Sequence, residues 1–401
     1  MSTTRRIFLA GAASGLLAAP AVRAQATPLR IGVLTDMSGP FSANTGAGSV
    51  LAVRMAVEDF GGTVRGRSVE VISADHQNRP DTGVAIAREW LDRQDVSAIA
   101  DLVNSSVALA VMDMARQRDR ITLIGGSGSP AINNEGCTPT NVQLAYDSYA
   151  TANTVARSLI ADGRKRWYFV TADYAFGTAT ERDASAIIKA AGGAVLGSVR
   201  HPPGTTDFSS YLLTAQASGA DAVAFASAGS DSVNAIKQCA EFGLTRQVAL
   251  VSLGLVINDV HAIGLDAAQG MYLSEGFYWD RDAASRAFAA RYFKALSKMP
   301  NMVQAGLYSG TTHWLKALAA TSGGTDAVMA AMRAAPVEDS LTHGGVVRPD
   351  GLMMHDMLLL QVKTPSESKA AWDYMKVVRT VAGEQAFSPL TASRCPGILN
   401  Q

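Results

Sequence analysis

The chain predicts two α/β lobes of the doubly wound kind, and three observations carry that expectation. Short β-branched runs alternate with longer stretches whose apolar residues recur at helical spacing, which specifies parallel strands joined by crossover helices. The pattern loses its regularity over Asn133–Leu144 and then restarts with the same design. At 401 residues the chain also exceeds the length at which one hydrophobic core keeps growing, so two cores are expected.

Taken in order, the first element is not part of the fold. MSTTRRIFLAGAASGLLAAPAVRAQA places Arg5 and Arg6 before Phe8 and Leu9, and the apolar stretch Ile7–Ala21 is too short to span a bilayer. Val22-Arg23-Ala24 then offers small residues to a peptidase. Residues 1–24 are therefore read as a twin-arginine export signal, cleaved near Ala24. The first lobe follows with strands expected at Leu29–Leu34, Ser68–Ser73, Val96–Asp101 and Ile121–Gly126, and Val50, Val53, Val57 and Phe60 mark a helix by their spacing of 3, 4 and 3.

The second lobe repeats this with strands at Arg166–Ala172, Ala194–Arg200, Asp221–Ser227 and Val248–Gly254. Gly177–Gly193 and Ser230–Gly243 read as helices, and Thr206 or Asp207 is the expected N-cap of a third over Ser209–Ser218. Beyond Gly270 come an aromatic cluster at Phe277-Tyr278-Trp279 and two helical segments, Asp282–Met299 and Gln304–Thr321, with no clear strand between them. Gly344–Lys363 reads as a hairpin turning at Pro349-Asp350-Gly351, and an irregular tail runs through Cys395.

Composition narrows the function. Lys plus Arg and Asp plus Glu both number 35, giving no net charge, and no basic stripe is present to collect nucleic acid. The three cysteines, Cys137, Cys239 and Cys395, form no C-x-x-C pair, and the six histidines show no metal-ligand spacing, so no metal and no cofactor is expected. Gly46-Ala47-Gly48 lacks the third glycine of a dinucleotide fingerprint, and Gly125–Ser129 lacks the last glycine of a nucleophile elbow. Twin-arginine export keeps a cofactor enzyme as the rival class, but no catalytic set supports one.

In doubly wound sheets ligands bind at the carboxyl ends of strands, where helix amino termini present backbone N–H groups. Four strand exits here are rich in small hydroxylated or aromatic residues: Asp36-Met37-Ser38-Gly39-Pro40-Phe41, Asn104-Ser105-Ser106, Gly125-Gly126-Ser127-Gly128-Ser129-Pro130, and Asp173-Tyr174-Ala175-Phe176-Gly177. Hydroxyls and amides at such exits can donate together to a carboxylate without an opposing charge.

IGVLTDMSGPF, DLVNSSVALAV, ITLIGGSGSP, TADYAFG, TTDFSSYL and DAVAFASAG, in this order, make Leu29–Pro396 resemble a periplasmic substrate-binding protein of the branched-chain amino-acid type, serving an ABC importer. The resemblance implies the type I periplasmic-binding fold, with lobes 28–144 plus 278–346 and 145–277 plus 347–394, a tail at 395–401, and three crossings near Leu144–Asp147, Glu275–Tyr278 and His343–Gly351. It further implies a monomer in the periplasm that encloses a small molecule between closing lobes and delivers it to an inner-membrane permease; a sensor of the same fold is the variant reading.

Carried over residue by residue, Ser105 or Ser106 with Ser127 and Ser129 match the carboxylate-holding positions, and Phe176 matches an aromatic that covers the ligand. Ser38, Phe41, Gly128, Tyr146 and Tyr174 complete the expected wall. Two positions depart from the pattern: Ala228-Gly229 stands where a tyrosine is expected, and Gly254 stands where an acid pairs with the α-ammonium of amino-acid ligands. An ammonium buried without a partner is costly. The expected ligand is thus an organic acid, aromatic or otherwise apolar, with a branched-chain amino acid or amide as alternative if Asp231, Glu275 or Asp36 supplies the charge. Against the family's frequent first-lobe disulfide, whose positions are Asn78 and Asn104 here, Cys137 and Cys395 are expected to pair and Cys239 to stay reduced.

Overall fold

The computed structural model describes residues 27–399, so the export signal with Arg5, Arg6 and Ala24 lies outside the described residues. The first sheet collects β1 (Leu29–Thr35), β2 (Thr63–Val64), β3 (Arg67–Asp75), β4 (Val96–Asp101), β5 (Ile121–Ile124) and β6 (Asn141–Gln143) in the order β2-β3-β1-β4-β5-β6. Every pair is parallel except β2–β3. Helices α1 (Ala47–Asp59), α2 (Pro80–Arg93) and α3 (Ser105–Gln117) make the crossovers. Ile31, Val33 and Leu123 are fully buried because their sheet is covered on both faces, as a parallel sheet requires.

The chain crosses to the second lobe after β6 and enters α4 (Ser148–Ala161), capped by the Asp147 carboxylate, which accepts the N–H of Ala150 at 2.7 Å. β7 (Arg166–Ala172), α5 (Ala175–Ala190), β8 (Ala194–His201), α6 (Ser209–Ala217), β9 (Ala222–Ala226), α7 (Ser230–Glu241), β10 (Ala249–Ser252), α8 (Ile257–Ile263), α9 (Leu265–Ala268) and β11 (Tyr272–Glu275) then alternate. Neither Thr206 nor Asp207 is the N-cap of α6. That place is Phe208, and the Asp207 carboxylate reaches past it to accept the N–H of Ser209 at 2.9 Å.

Several elements escaped the sequence patterns, among them β2, β6, α4, α8, α9, β11, α12 (Thr325–Ala334) and β15 (Met375–Val381). β11 (Tyr-Leu-Ser-Glu) holds no β-branched residue to mark it, whereas α12 follows α10 (Ala283–Leu296) and α11 (Met302–Ala320) as a third helix on the first lobe. The expected hairpin is divided: β12 (Val346–Val347) and β13 (Met353–Met354) pair around the Pro349–Gly351 turn, while β14 (Met357–Val362) leaves them to join β11. β15 then closes the second sheet, in the order β15-β14-β11-β10-β9-β7-β8. β15 carries exposed Val377 and Val378 at a sheet edge, a pattern without the buried face that alternation reveals.

Val347 and Met353 pack into the first-lobe core, and Gln143 bridges Leu352 along β6. The third connection therefore enters the second lobe at His355–Asp356, later than His343–Gly351. At the far end the tail returns to the first lobe, where Ser393 Oγ donates to the Asn133 carbonyl at 3.2 Å and Cys395 forms a disulfide with Cys137. Cys239 is free and buried in α7.

Candidate functional site

The strand orders locate the site before any side chain is considered. In the first sheet the connections reverse direction between β1 and β4, and in the second between β7 and β9, so the loops leaving these four strands part and open a crevice. The crevices face each other across a cavity of about 600 Å³, walled by loops from both lobes and by the start of α11.

Backbone geometry turns the first-lobe donors inward. Asp101 and Leu102, at the end of β4, both adopt positive φ (78° and 56°), and the chain doubles back to start α3 at Ser105. Asn104 caps that helix: its Oδ1 accepts the N–H groups of Ser106 and Val107 at 2.9 and 3.1 Å, and its Nδ2 donates to Asn78 Oδ1 at 2.6 Å. The α3 amino terminus is thus largely satisfied from within. What remains for a ligand comes from Ser105, Ser106, Asn78 and the backbone of Gly128, all of which line the cavity.

The expected serines separate. Ser105 and Ser106 line the cavity, whereas Ser127 does not line it and shares a hydrogen bond with Ser105, 2.8 Å between the hydroxyls. Ser129 is not on the wall, because its Oγ accepts the N–H of Ala131 at the head of a short 3-10 turn. Ser38 is exposed and donates to Asp75 at 2.6 Å, outside the cavity. A serine-rich exit does not say which hydroxyls the turn itself consumes.

Aromatic rings form the apolar wall, and two glycines make room for them. Tyr146 anchors its hydroxyl on the Gly126 carbonyl at 3.1 Å, and a Cβ on Gly128 would lie 2.2 Å from its ring. A Cβ on Gly254 would lie 2.4 Å from the Ser227 carbonyl oxygen and 3.1 Å from the Phe176 ring. Gly254 is therefore a packing requirement as well as a missing acid. Tyr174, Phe176, Phe41 and Ala228 line the same space, and burial raises the phenols of Tyr146 and Tyr174 far above their ordinary range, so both stay neutral. The Phe41 loop is shaped by buried Asp36, whose oxygens accept the N–H groups of Gly39 and Phe41 at 2.7 and 3.0 Å.

Of the three acids considered as ammonium partners, Asp36 is used by its own loop and Glu275 sits off the cavity wall. Glu275 is fully buried and accepts the N–H of Ile257 at 2.9 Å and of Met302 at 3.1 Å, joining the first turns of α8 and α11, one from each lobe. Burial pushes its carboxyl up to about 8. Beside it, Asn44 Nδ2 of the first lobe donates to both oxygens of Asp259 of the second at 3.0 and 2.9 Å, and burial holds Asp259 up to about 6. Asn301 donates to the Asn44 carbonyl and to Asn258 Oδ1, completing a polar seam between the lobes. Asp231 alone of the three lines the cavity, from the first turn of α7. Asn44, Thr45, Asn78, Val256, Met302 and Val303 also reach the wall, and no sequence signal distinguished them because loops and the first turn of a helix carry no period.

A family model described as periplasmic binding protein matches residues 28–370. Among solved structures, a periplasmic binding protein from Burkholderia mallei is 46% identical, with a TM-score of 0.88, over 92% of this chain and 98% of that one. A branched chain amino acid ABC transporter periplasmic ligand-binding protein from Burkholderia xenovorans is 38% identical, with a TM-score of 0.85, over 92% of this chain and 99% of that one. Leu/Ile/Val-binding protein homolog 6 of Brucella melitensis is 27% identical over 81% of this chain and 84% of its own length.

Proposed function

The chain belongs to the periplasmic binding protein family, the solute-binding components of ABC transporters, and from that premise we propose that it captures a small organic acid, aromatic or otherwise apolar, for import. The ligand's carboxylate accepts from Ser105, Ser106 and Asn78 on the first lobe, and its apolar body lies among Phe41, Tyr146, Tyr174 and Phe176. Export by the twin-arginine route with cleavage near Ala24, action as a monomer, and delivery to an inner-membrane permease belong to the same proposal.

The observation that carries the ligand class is Gly254. Its Cβ position is occupied by the Ser227 carbonyl and the Phe176 ring, so no acidic side chain stands there to pair with an α-ammonium, and an unpaired ammonium would bear a desolvation penalty of several kcal/mol, roughly. The fold itself is neutral on this point. Proteins sharing it at 19% and 21% identity hold benzoate in R. palustris and bind leucine, isoleucine, valine, threonine and alanine in Brucella ovis. A branched-chain amino acid is the second reading, favoured by Asp231 on the cavity wall.

A thermal-shift screen of benzoate-type and short-chain acids against leucine, isoleucine and valine tests the proposal. Ligand at a hundredfold excess over its dissociation constant stabilises by about 2.7 kcal/mol. Ser105→Ala, which leaves a carboxylate oxygen without its donor, weakens an acid hit by about 1–3 kcal/mol. Stabilisation by leucine and by none of the acids would replace this reading with the second.

A further inference from the structure

Asp231 is the one ionisable carboxyl among the described residues lining the cavity, and no Lys, Arg or His lines it. The residue is only 8% exposed. Both of its oxygens meet a single donor, the Gly204 N–H, at 3.1 and 3.0 Å. An ionised carboxylate has about four acceptor sites, so most of this one's capacity is unused while water is being excluded around it. Burial raises the Asp231 carboxyl above its ordinary range, while the Gly204 N–H, nearby His201 and its place in the first turn of α7, where the helix amino terminus carries partial positive charge, favour the anionic form. A ligand that offered only apolar surface here would complete the desolvation of a charge and return nothing.

The position also matters. Asp231 belongs to the second lobe, across the cavity from Ser105, Ser106 and Asn78, and a ligand carboxylate is repelled toward that opposite wall. Resting on the organic-acid reading above, we propose that Asp231 is a specificity-determining residue that selects acids bearing a hydrogen-bond donor, a hydroxyl or an amine, at the end remote from the carboxylate. The ring lies between the two polar ends, and the donor completes the acceptor set that Gly204 begins. Asp231 thereby orients the ligand as well as choosing it.

Gly204 contact alone would make Asp231 a structural clamp on the Pro203–Gly204 loop, and Asp231→Asn separates the two roles because the amide oxygen still accepts the Gly204 N–H. The probes are 3- and 4-hydroxybenzoate and their methoxy counterparts, which keep the carboxylate and ring but lose the donor, titrated calorimetrically into the purified protein. At least one hydroxy acid should bind the native protein about tenfold or more tighter than its methoxy partner, as a hydrogen bond to a charged acceptor implies. In Asp231→Asn that ratio should fall to about threefold or less, a neutral acceptor giving the weaker bond, with circular dichroism unchanged. Asp231→Ser, smaller and also uncharged, should show the same collapse if the asparagine variant fails to fold. Equal binding of hydroxy and methoxy acids, or a preference that survives both substitutions, overturns the inference and leaves the organic-acid reading standing. Binding of none of the four acids overturns the inference, and binding of leucine in the same titrations with none of them overturns the organic-acid reading as well.

Discussion

Glu275 offers a direct measurement of the seam between the lobes. Its carboxyl, buried against the amino ends of α8 and α11, is pushed up to about 8 from an ordinary 4.5. A carboxyl with a raised folded-state pKa contributes stability that is fully present below its unfolded pKa and is lost as pH rises through the folded one. The native state therefore holds one more proton than the unfolded chain between about 4.5 and about 8. Asp101, Asp147 and Asp259, held up to about 6, act with the same sign but lower, while buried His76, His313 and His355, whose pKa values are depressed, act with the opposite sign below the ordinary 6.5. The window from pH 6.5 to 8 separates Glu275 from these groups. At about 1.4 kcal/mol per pH unit, tapering as the group ionises, the loss across it is about 1.5 kcal/mol. Urea unfolding at several pH values should show that decline, and Glu275→Gln should remove it while adding a pH-independent cost of about 1–3 kcal/mol, because an amide cannot accept from both Ile257 and Met302. An identical pH slope in the two proteins would refute the argument.

Two further outcomes are expected. Denatured, unreduced protein should show one thiol, that of Cys239, and replacing Cys137 and Cys395 together by serine should cost up to about 5 kcal/mol in the chain-entropy model, given a separation of 258 residues; three reactive thiols without reductant would refute the pairing. Gly229, at φ 63° and ψ −143°, seats the opposite lobe, since a Cβ there would lie 2.8 Å from the Pro40 carbonyl oxygen. Gly229→Ala should lower stability by about 1–3 kcal/mol through backbone strain and leave the lobes more open in small-angle scattering, with a smaller ligand-induced thermal shift; an unchanged scattering profile would contradict the closing role.

Local pattern determined much of this protein. Periodicities of 2 and 3.6 reveal whichever elements bury one face or both over enough residues, which is why β1, β4, β7, β9 and α5 are legible from their own residues. β11, which holds no β-branched residue, and β15, at an exposed edge, give no such signal. The strand exits that line the cavity were legible because strand–helix alternation places every exit at one end of its sheet, and the glycines and serines there mark turns. Which of those side chains faces a ligand was not legible, since turn and ligand compete for the same hydroxyls: Ser129 is taken by Ala131, Ser38 by Asp75 and Ser127 by Ser105. The roles of Asn44 and Glu275 in the seam were beyond reach for a different reason. Each gains its role from a partner on the other lobe, Asp259 lying 215 residues from Asn44 and Met302 lying 27 from Glu275, and single contacts between different elements leave no period in the chain. The sequence by itself determined two lobes and the ends at which they open; tertiary packing decided which donors remain unpaired there, because hydrogen-bond capacity is assigned only once the neighbours are in place.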